Sequence, residues 1–378
     1  MFDTIIVGTG FAGSVIAHKI ATEQNKKVLM IEKRSHIGGN CYDFIDENHI
    51  NIHKYGPHLF HTDNKEVYDY LAKFTEFEMY EHIVLAHIDE KNVNIPFNFN
   101  TLYQLFPKKD AKKFEKALLK HFELNQKIPI LELKKSDDKD LQYLANYIYE
   151  KMFLNYTAKQ WGVKPEEIDS SVTARVPVYV GNDNRYFHDR YQVIPKEGYT
   201  KIFEKMLEHT NIKIVLNTAF DEVCEIKDDK IYYKGNEFKG RVIYTGPIDE
   251  LFDYRYGVLE YRSIDLQFET VNQKFFQEAA VVNYPNDHQF TRITEFKHIH
   301  PVKTSKTTIL KEYPQAYVPK ENVPYYPVFK NDNQERYDEY EKLALNIDRL
   351  FLVGRLAEFK YYDMDDVIER AFEVYEKI

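Results

Sequence analysis

Cysteine is nearly absent. Cys41 and Cys224 are the only two in 378 residues, and they form no C-x-x-C pair. That usage points to a reducing compartment. Positive charge is also short, with 51 Lys and Arg against 60 Asp and Glu and a formal net charge of -9. The deficit argues against nucleic acid as a general partner, and any phosphate-bearing ligand would need locally gathered cations. No basic n-region precedes the first strand-like segment, so no signal peptide is expected. No apolar run reaches the roughly 18 residues of a membrane span, and a cytoplasmic location is expected. There is no internal repeat and no low-complexity stretch. What is left is ordinary for a soluble globular protein, 43% hydrophobic. Its length exceeds one compact domain of about 100–200 residues.

The most informative stretch is Phe2 to Cys41. Ile5, Ile6 and Val7 read as a buried strand, and Ser14 to Ala21 continue as a helix before a second strand, Val28 to Ile31. Between the first strand and the helix, Gly8, Gly10 and Gly13 fall in the G-x-G-x-x-G spacing, and Glu32 closes the unit. The first glycine permits the tight turn, the second lets a pyrophosphate approach the backbone, and the third lets helix and strand pack closely. The helix N-terminus then offers unpaired N–H groups to the anion. Glu32 is placed to accept from a ribose hydroxyl. The stretch predicts a dinucleotide without saying which. The following Arg34 and the Gly38-Gly39-Asn40 turn resemble flavoproteins that bind FAD more than NAD dehydrogenases, the alternative being a plain loop.

His58 and His61 stand at i and i+3 with no third ligand at zincin-type spacing, so no metal is expected. Asp63 and Glu66 mark a helix start, and a hairpin follows over 83–88 and 93–95. From Thr101 to Asn155 apolar residues recur at helical period. Strand-like alternation over 173–180 and further strands between 258 and 330 suggest a mostly antiparallel sheet, while strands over 212–216, 220–226 and 231–234 belong to the block that returns to the dinucleotide fold. The segments around Val242 to Gly246 and Leu350 to Gly354 return to the dinucleotide fold. The fold class is α/β, with a discontinuous dinucleotide-binding domain over 1–66, 195–250 and 343–378. A mainly helical domain (67–155) and an antiparallel sheet domain (156–194 and 251–342) interrupt it.

Taken together, YGPHLFHT (55–62), IPFNFNT (95–101), NYTAKQWG (155–162), RVPV (175–178), NRYF (184–187), TRITEFK (291–297), KEYP (311–314), VPYYPV (323–328) and VGRLAEFKYYDMD (353–365) resemble the UDP-galactopyranose mutase family. They span the chain in the family's order. The resemblance implies a Rossmann-like FAD-binding domain and an isomerase that interconverts UDP-galactopyranose and UDP-galactofuranose. It implies reduced FAD, whose N5 attacks the anomeric carbon to give a flavin–sugar iminium, and an external reductant for that flavin. No base-activated Ser or Cys is then required, and none stands in a nucleophile-like motif. A homodimer and a role in supplying galactofuranose to a cell-surface polysaccharide are implied as well.

By the same resemblance Arg175 and Arg292 hold the diphosphate, and His58 lies beside the flavin ring, completing the catalytic set. Phe153, Tyr156, Trp161, Tyr186, Asn283, Glu312, Tyr326 and Tyr361 join them in binding the substrate, Tyr156 on the uracil and Trp161 from a mobile loop. The cofactor falls to Gly8, Gly10, Phe11, Ala12, Gly13, Glu32, Lys33, Gly39, Asn40, His58, Leu59, Arg355, Tyr361, Asp363 and Met364. The sequence departs from the family pattern at Met152, where an aromatic is usual, at Val193 and Arg185, and at Ala357 and Glu358 after Gly-Arg-Leu. These departures bear on substrate preference more than on reaction type. An oxidoreductase of the amine-oxidase kind shares the N-terminal fingerprint and is the rival reading, followed by a silent UDP-sugar or flavin binder.

Overall fold

A computed structural model describes residues 2–162 and 177–378. Its centre is a five-stranded parallel sheet in the spatial order Ile212–Val215, Val28–Ile31, Thr4–Val7, Arg241–Tyr244, Leu350–Leu352. Ile5, Ile6, Val28, Leu29, Met30, Val242 and Ile243 are almost wholly buried. Such unbroken apolar runs are what a parallel sheet covered on both faces demands. One face is covered by the helices Phe11–Glu23, Tyr199–Leu207 and Met364–Tyr375, which share a core of Ile16, Ile20, Phe203, Met206, Ile368 and Val374. The helix Asn331–Leu345 contributes Tyr337, Tyr340 and Ala344 to a second core with Ile5, Leu29 and Tyr244.

The chain runs outward from Thr4–Val7 in one direction and then, from Arg241–Tyr244, in the other. Strand order therefore reverses between these two, and ligands of open α/β sheets bind at the carboxyl ends beside such a reversal.

A seven-stranded sheet stands over that edge. Its order is Tyr326–Pro327, Tyr261–Val271, Thr307–Ala316, Arg292–Glu295, Val281–Asn283, Val84–Ile88, Lys91–Ile95, and only the pairing of Val281–Asn283 with Val84–Ile88 is parallel. The hairpin at 84–95, read from sequence beside the helices, thus supplies two strands of this sheet. Helices Lys108–His121 and Lys139–Ile148 pack Phe114, Leu118, Leu141, Leu144 and Ile148 together. The second helix runs on through a π-helical turn, Tyr149–Leu154, into Asn155–Trp161. The wider turn holds an extra residue and rotates the helix beyond it. Before this turn the apolar face meets the helical core, and after it Tyr156, Thr157 and Gln160 face a cleft.

Three local expectations need correction. The described part of the 173–180 strand, Val178–Tyr179, does not join the large sheet but pairs with Lys127–Ile128. Ile128 and Val178 are both fully buried in the helical core, and that burial decides the partner. The segment 220–226 is not one strand, because Phe220–Val223 forms a helical turn started by Glu222 accepting from the Ala219 N–H at 2.6 Å. The helix after Thr62 is capped by Asn64, whose side chain accepts from the backbone of Glu66 and Val67, rather than by Asp63. Among the described residues no helix is long and apolar enough to cross a membrane.

Candidate active site

One cavity, about 260 Å³ in volume, lies at the strand reversal between the fingerprint turn, the 38–41 turn and Gly354–Arg355. Gly8 takes φ +101°, and a Cβ there would meet Thr245 Oγ1 at 2.1 Å. Gly13 does not line the cavity. Its absent side chain lets the helix press against the turn, since a Cβ would lie 2.2 Å from the Gly8 carbonyl oxygen. At Gly10 the nearest atom to an added Cβ is Gly39 Cα at 3.8 Å, so no part of the protein demands glycine there. The free space belongs to whatever occupies the cavity. No side chain caps the helix that starts at Phe11, and its first turn faces the same space. An elongated anion laid along this turn fits the residues present.

Phe11, Ala12, Glu32, Lys33, Gly39, Asn40, His58, Arg355, Asp363 and Met364 line this cavity, with Gly8 and Gly10. Glu32 is not simply waiting for a ribose. Its Oε2 accepts from the Thr9 N–H (3.1 Å) and hydroxyl (2.7 Å), and its Oε1 from the Arg34 N–H (3.0 Å). A carboxylate has about four acceptor positions, so one remains for a ligand. Arg34, part of the flavoprotein-like Arg and Gly-Gly pattern though not named among the cofactor residues, also lines the cavity. It stacks on Tyr55 with Cζ 4.2 Å from the ring centroid, donates to Asn40 Oδ1, and keeps Nη1 buried without a partner. Glu358, one of the departures, is 6% exposed and accepts from the Gly354 N–H at 2.8 Å and Arg370 Nε at 2.7 Å. It holds the second glycine turn from behind.

The second cavity, about 710 Å³, opens between the helical segment and the large sheet. Asn40, His58, Tyr325, Arg355, Asp363 and Met364 line both cavities and form their junction. Arg355 donates there to the carbonyls of Tyr325 and Tyr362 and lies over Tyr361, Cζ 4.8 Å from the centroid. Leu59 and Tyr361, which the resemblance gives to the cofactor, line the second cavity and not the first.

Phe153, Tyr156, Tyr186, Asn283, Arg292 and Tyr326 also line the cleft. Asn283 pairs in register with Arg292, and Arg292 with Glu312, so the three stand in a row across neighbouring strands. Glu312 does not line the cleft, against the sequence reading. The Arg292 side chain is 30% exposed, whereas Glu312 behind it is 1% exposed, with Nε and Oε1 2.7 Å apart. The longer side chain reaches the cleft and covers the shorter. Burial opposes the charge on Arg292, but the Glu312 carboxylate outweighs it and raises the pKa. Asn283 Oδ1 is buried without a partner. Burial pushes the Tyr156 phenol up to about 12 and raises that of Tyr326, so both keep their protons as donors at neutral pH. Gln160 donates to the Tyr326 hydroxyl. Trp161 ends its helix, and Arg175 lies outside the described residues.

His58 Nδ1 lies 2.9 Å from the Gly56 carbonyl oxygen, which can only accept. The proton of the neutral ring therefore sits on Nδ1, leaving Nε2 as a bare lone pair. Burial, reinforced by Arg355 and Arg292, lowers its pKa to about 4. The unfolded ring, near 6.5, takes up its proton first, so this group's contribution to stability is complete above about pH 6.5 and is lost as pH falls towards about 4. Urea unfolding at several pH values should show that decline, and His58→Asn should make it shallower, the remainder coming from His53 and His82, whose pKa values burial also lowers. An equal decline in the variant would remove His58 as its source.

Sequence reasoning also missed His82, Lys127, Gln160, Phe187 and Asp189 on the cleft walls. Phe187 lies within the NRYF motif, but nothing local distinguishes His82 or Lys127. His61 stacks on Phe187 at 3.7 Å, and its Nδ1 is 3.3 Å from Asp189 Oδ2. Burial disfavours its charge, yet Asp189 raises the pKa overall. Arg292, Arg355 and Lys127 thus bring positive charge to one cleft, beside Asp189 and Asp363, in a chain of net charge -9. That is the local cation set a phosphate-bearing ligand needs.

Comparison with known proteins adds to this geometry. Residues 151–361 match the family model described as UDP-galactopyranose mutase, and residues 6–74 match an NAD(P)-binding Rossmann-like domain. The chain is 36% identical over 375 residues to UDP-galactopyranose mutase of Mycoplasma genitalium, covering 97% of this chain and 92% of the relative. It is 35% identical over 378 residues to dTDP-fucopyranose mutase of Escherichia coli, covering 99% and 97%. A crystal structure of reduced UDP-galactopyranose mutase superposes with TM-score 0.69 at 15% identity, over 100% of this chain and 93% of that one.

Proposed function

The chain belongs to the UDP-galactopyranose mutase family, and from that membership we propose that it interconverts UDP-galactopyranose and UDP-galactofuranose on a reduced FAD. The observation that carries the reading is the junction of the two cavities, where His58, Asn40, Arg355, Asp363 and Met364 line both at once. A flavin in the first cavity and a sugar nucleotide in the second would meet there. Gly8, Gly10, Glu32, Arg34 and Asn40 would hold the FAD, with Arg355, Asp363 and Met364 at the junction. When bound and reduced, the flavin supplies the nucleophile, N5, for the anomeric carbon of the sugar.

The protein's own share is position and charge. Arg292, fixed by Glu312, holds the diphosphate while the anomeric C–O bond breaks and keeps UDP in place until the sugar closes again through its 4-hydroxyl. A charged hydrogen bond of this kind contributes about 1.5–3 kcal/mol, and a planar guanidinium suits phosphate better than an ammonium does. Tyr156 and Tyr326, protonated at neutral pH, donate to the same oxygens or stack on the base. Phe153 and Tyr186 close the nucleotide end, and the Nε2 lone pair of His58 faces the reacting region. Arg175 and Trp161 complete the set on the strength of the family motif.

The test is one assay. Protein reduced with dithionite, incubated with UDP-galactofuranose and analysed by separation of the two sugar nucleotides, should give UDP-galactopyranose without net consumption of reductant. Oxidised protein should give none, and equal activity in both states overturns the reading. Hydrogen peroxide or NADPH consumption in step with substrate loss would favour the oxidoreductase. The similarity to dTDP-fucopyranose mutase supports a second reading, the same ring contraction on a dTDP-sugar. Parallel reactions with dTDP-fucopyranose decide between the two nucleotides by their kcat/KM ratio.

A further inference from the structure

Lys159 stands on the helix Asn155–Trp161 between two residues of the cleft wall, Tyr156 and Gln160, yet does not itself line the cleft. Its ammonium points to the turn between strands Val281–Asn283 and Arg292–Glu295. There Nζ donates to three backbone carbonyls: Tyr284 at 2.6 Å, Asn286 at 3.3 Å and His288 at 2.9 Å. Three donors meet three acceptors, so the group is used to capacity. Burial lowers its pKa to about 8, partly offset by Asp287, as expected of an ammonium taken out of water. A second fastening lies beside it. Asn155 Nδ2 donates to Asn286 Oδ1 at 3.0 Å, and Asn286 Nδ2 donates to the Lys151 carbonyl at 3.2 Å.

The turn is closed by Tyr284 N–H on the Thr291 carbonyl (2.8 Å), directly beyond the Asn283–Arg292 pair. Whatever fixes the turn also fixes the strand ends that carry these two side chains. The turn's carbonyls form a bowl of partial negative charge, and Lys159 supplies a cation to it from the opposite wall.

We propose that Lys159 is a positioning residue of the cleft, its ammonium locking the helical wall that carries Tyr156 and Gln160 to the sheet wall that carries Asn283 and Arg292. The role rests on the mutase reading for its substrate, although the fastening itself does not. Loss of the lock would let the walls separate, so substrate binding should suffer more than the chemical step.

The experiment compares parent, Lys159→Met and Asn286→Ala, each reduced and carrying flavin, in turnover of UDP-galactofuranose and in UDP affinity by equilibrium titration. Lys159→Met is expected to raise KM roughly tenfold with kcat within about twofold, and to weaken UDP to a similar degree. Flavin content should stay unchanged, because neither Lys159 nor Asn286 lines the dinucleotide cavity. Asn286→Ala, which cuts only the second fastening, should move KM the same way by less, and it carries the test if Lys159→Met does not fold. Unchanged KM and UDP affinity, with only thermal stability reduced, overturns the proposal and leaves Lys159 structural. No turnover in the parent would count against the mutase reading alone, and the UDP titrations would still judge the lock.

Discussion

Arg292→Ala should lower kcat/KM of the reduced protein by roughly 10²–10³-fold, the range for removing one preorganised donor to developing charge. The same change should destabilise the fold by about 3 kcal/mol, because Glu312, 1% exposed, is left as a buried carboxylate without its cation. These are separate effects and can be separated. The double variant Arg292→Met, Glu312→Gln removes both charges, so urea unfolding should recover most of the lost stability while turnover stays at the level of the single variant. Arg292→Lys keeps the charge but loses the planar fork, and should recover only part of the rate. If the double variant regained turnover along with stability, Arg292 would act through the fold and not on the substrate.

Gly10→Ala and Gly13→Ala should both lose FAD, for different reasons. At Gly10 the backbone is extended, φ -72° and ψ -176°, a conformation alanine adopts freely, and the nearest protein atom to the new Cβ is 3.8 Å away. The apoprotein should therefore unfold within about 0.5 kcal/mol of the parent, as substitutions free of steric conflict do. FAD affinity should still fall at least tenfold, about 1.4 kcal/mol, because the methyl occupies the line of approach to the backbone. At Gly13 the methyl would meet the Gly8 carbonyl at 2.2 Å and Ile6 Cγ2 at 3.0 Å. Neither the turn nor the strand can yield cheaply, so stability should drop by about 1–3 kcal/mol, as for overpacking, with FAD affinity falling too. Flavin fluorescence titration and denaturant unfolding of the apoprotein give the two quantities. A Gly10→Ala protein that binds FAD as tightly as the parent would show that nothing approaches that turn closely.

The βαβ fingerprint was legible because every part of it is local. The glycine spacing, the apolar strand and the acid lie within one stretch, and each follows from backbone freedom or burial that a window of residues reports. The cleft was less so. Tyr156 and Tyr186 could be named only through family motifs, since thirty tyrosines offer no local sign of which face a ligand. His82 and Lys127 were missed because neither sits in a pattern; the cleft alone selects them. Glu312, expected among the lining residues, belongs behind Arg292, a relation that exists only once strands Arg292–Glu295 and Thr307–Ala316 are in register.

By itself the sequence determined the parallel Rossmann-like sheet, the glycine turn at its strand reversal, the helical and antiparallel segments and the family, since these rest on periodicity, local conformation and ordered motifs. Tertiary structure decided where the two cavities meet, which partner Val178–Tyr179 takes, that Glu32 and Glu358 brace their turns, and that Lys159 spans the two walls. Most of those facts depend on pairing and burial between residues far apart in the chain. No local pattern encodes such relations, because they are fixed only when the whole core closes.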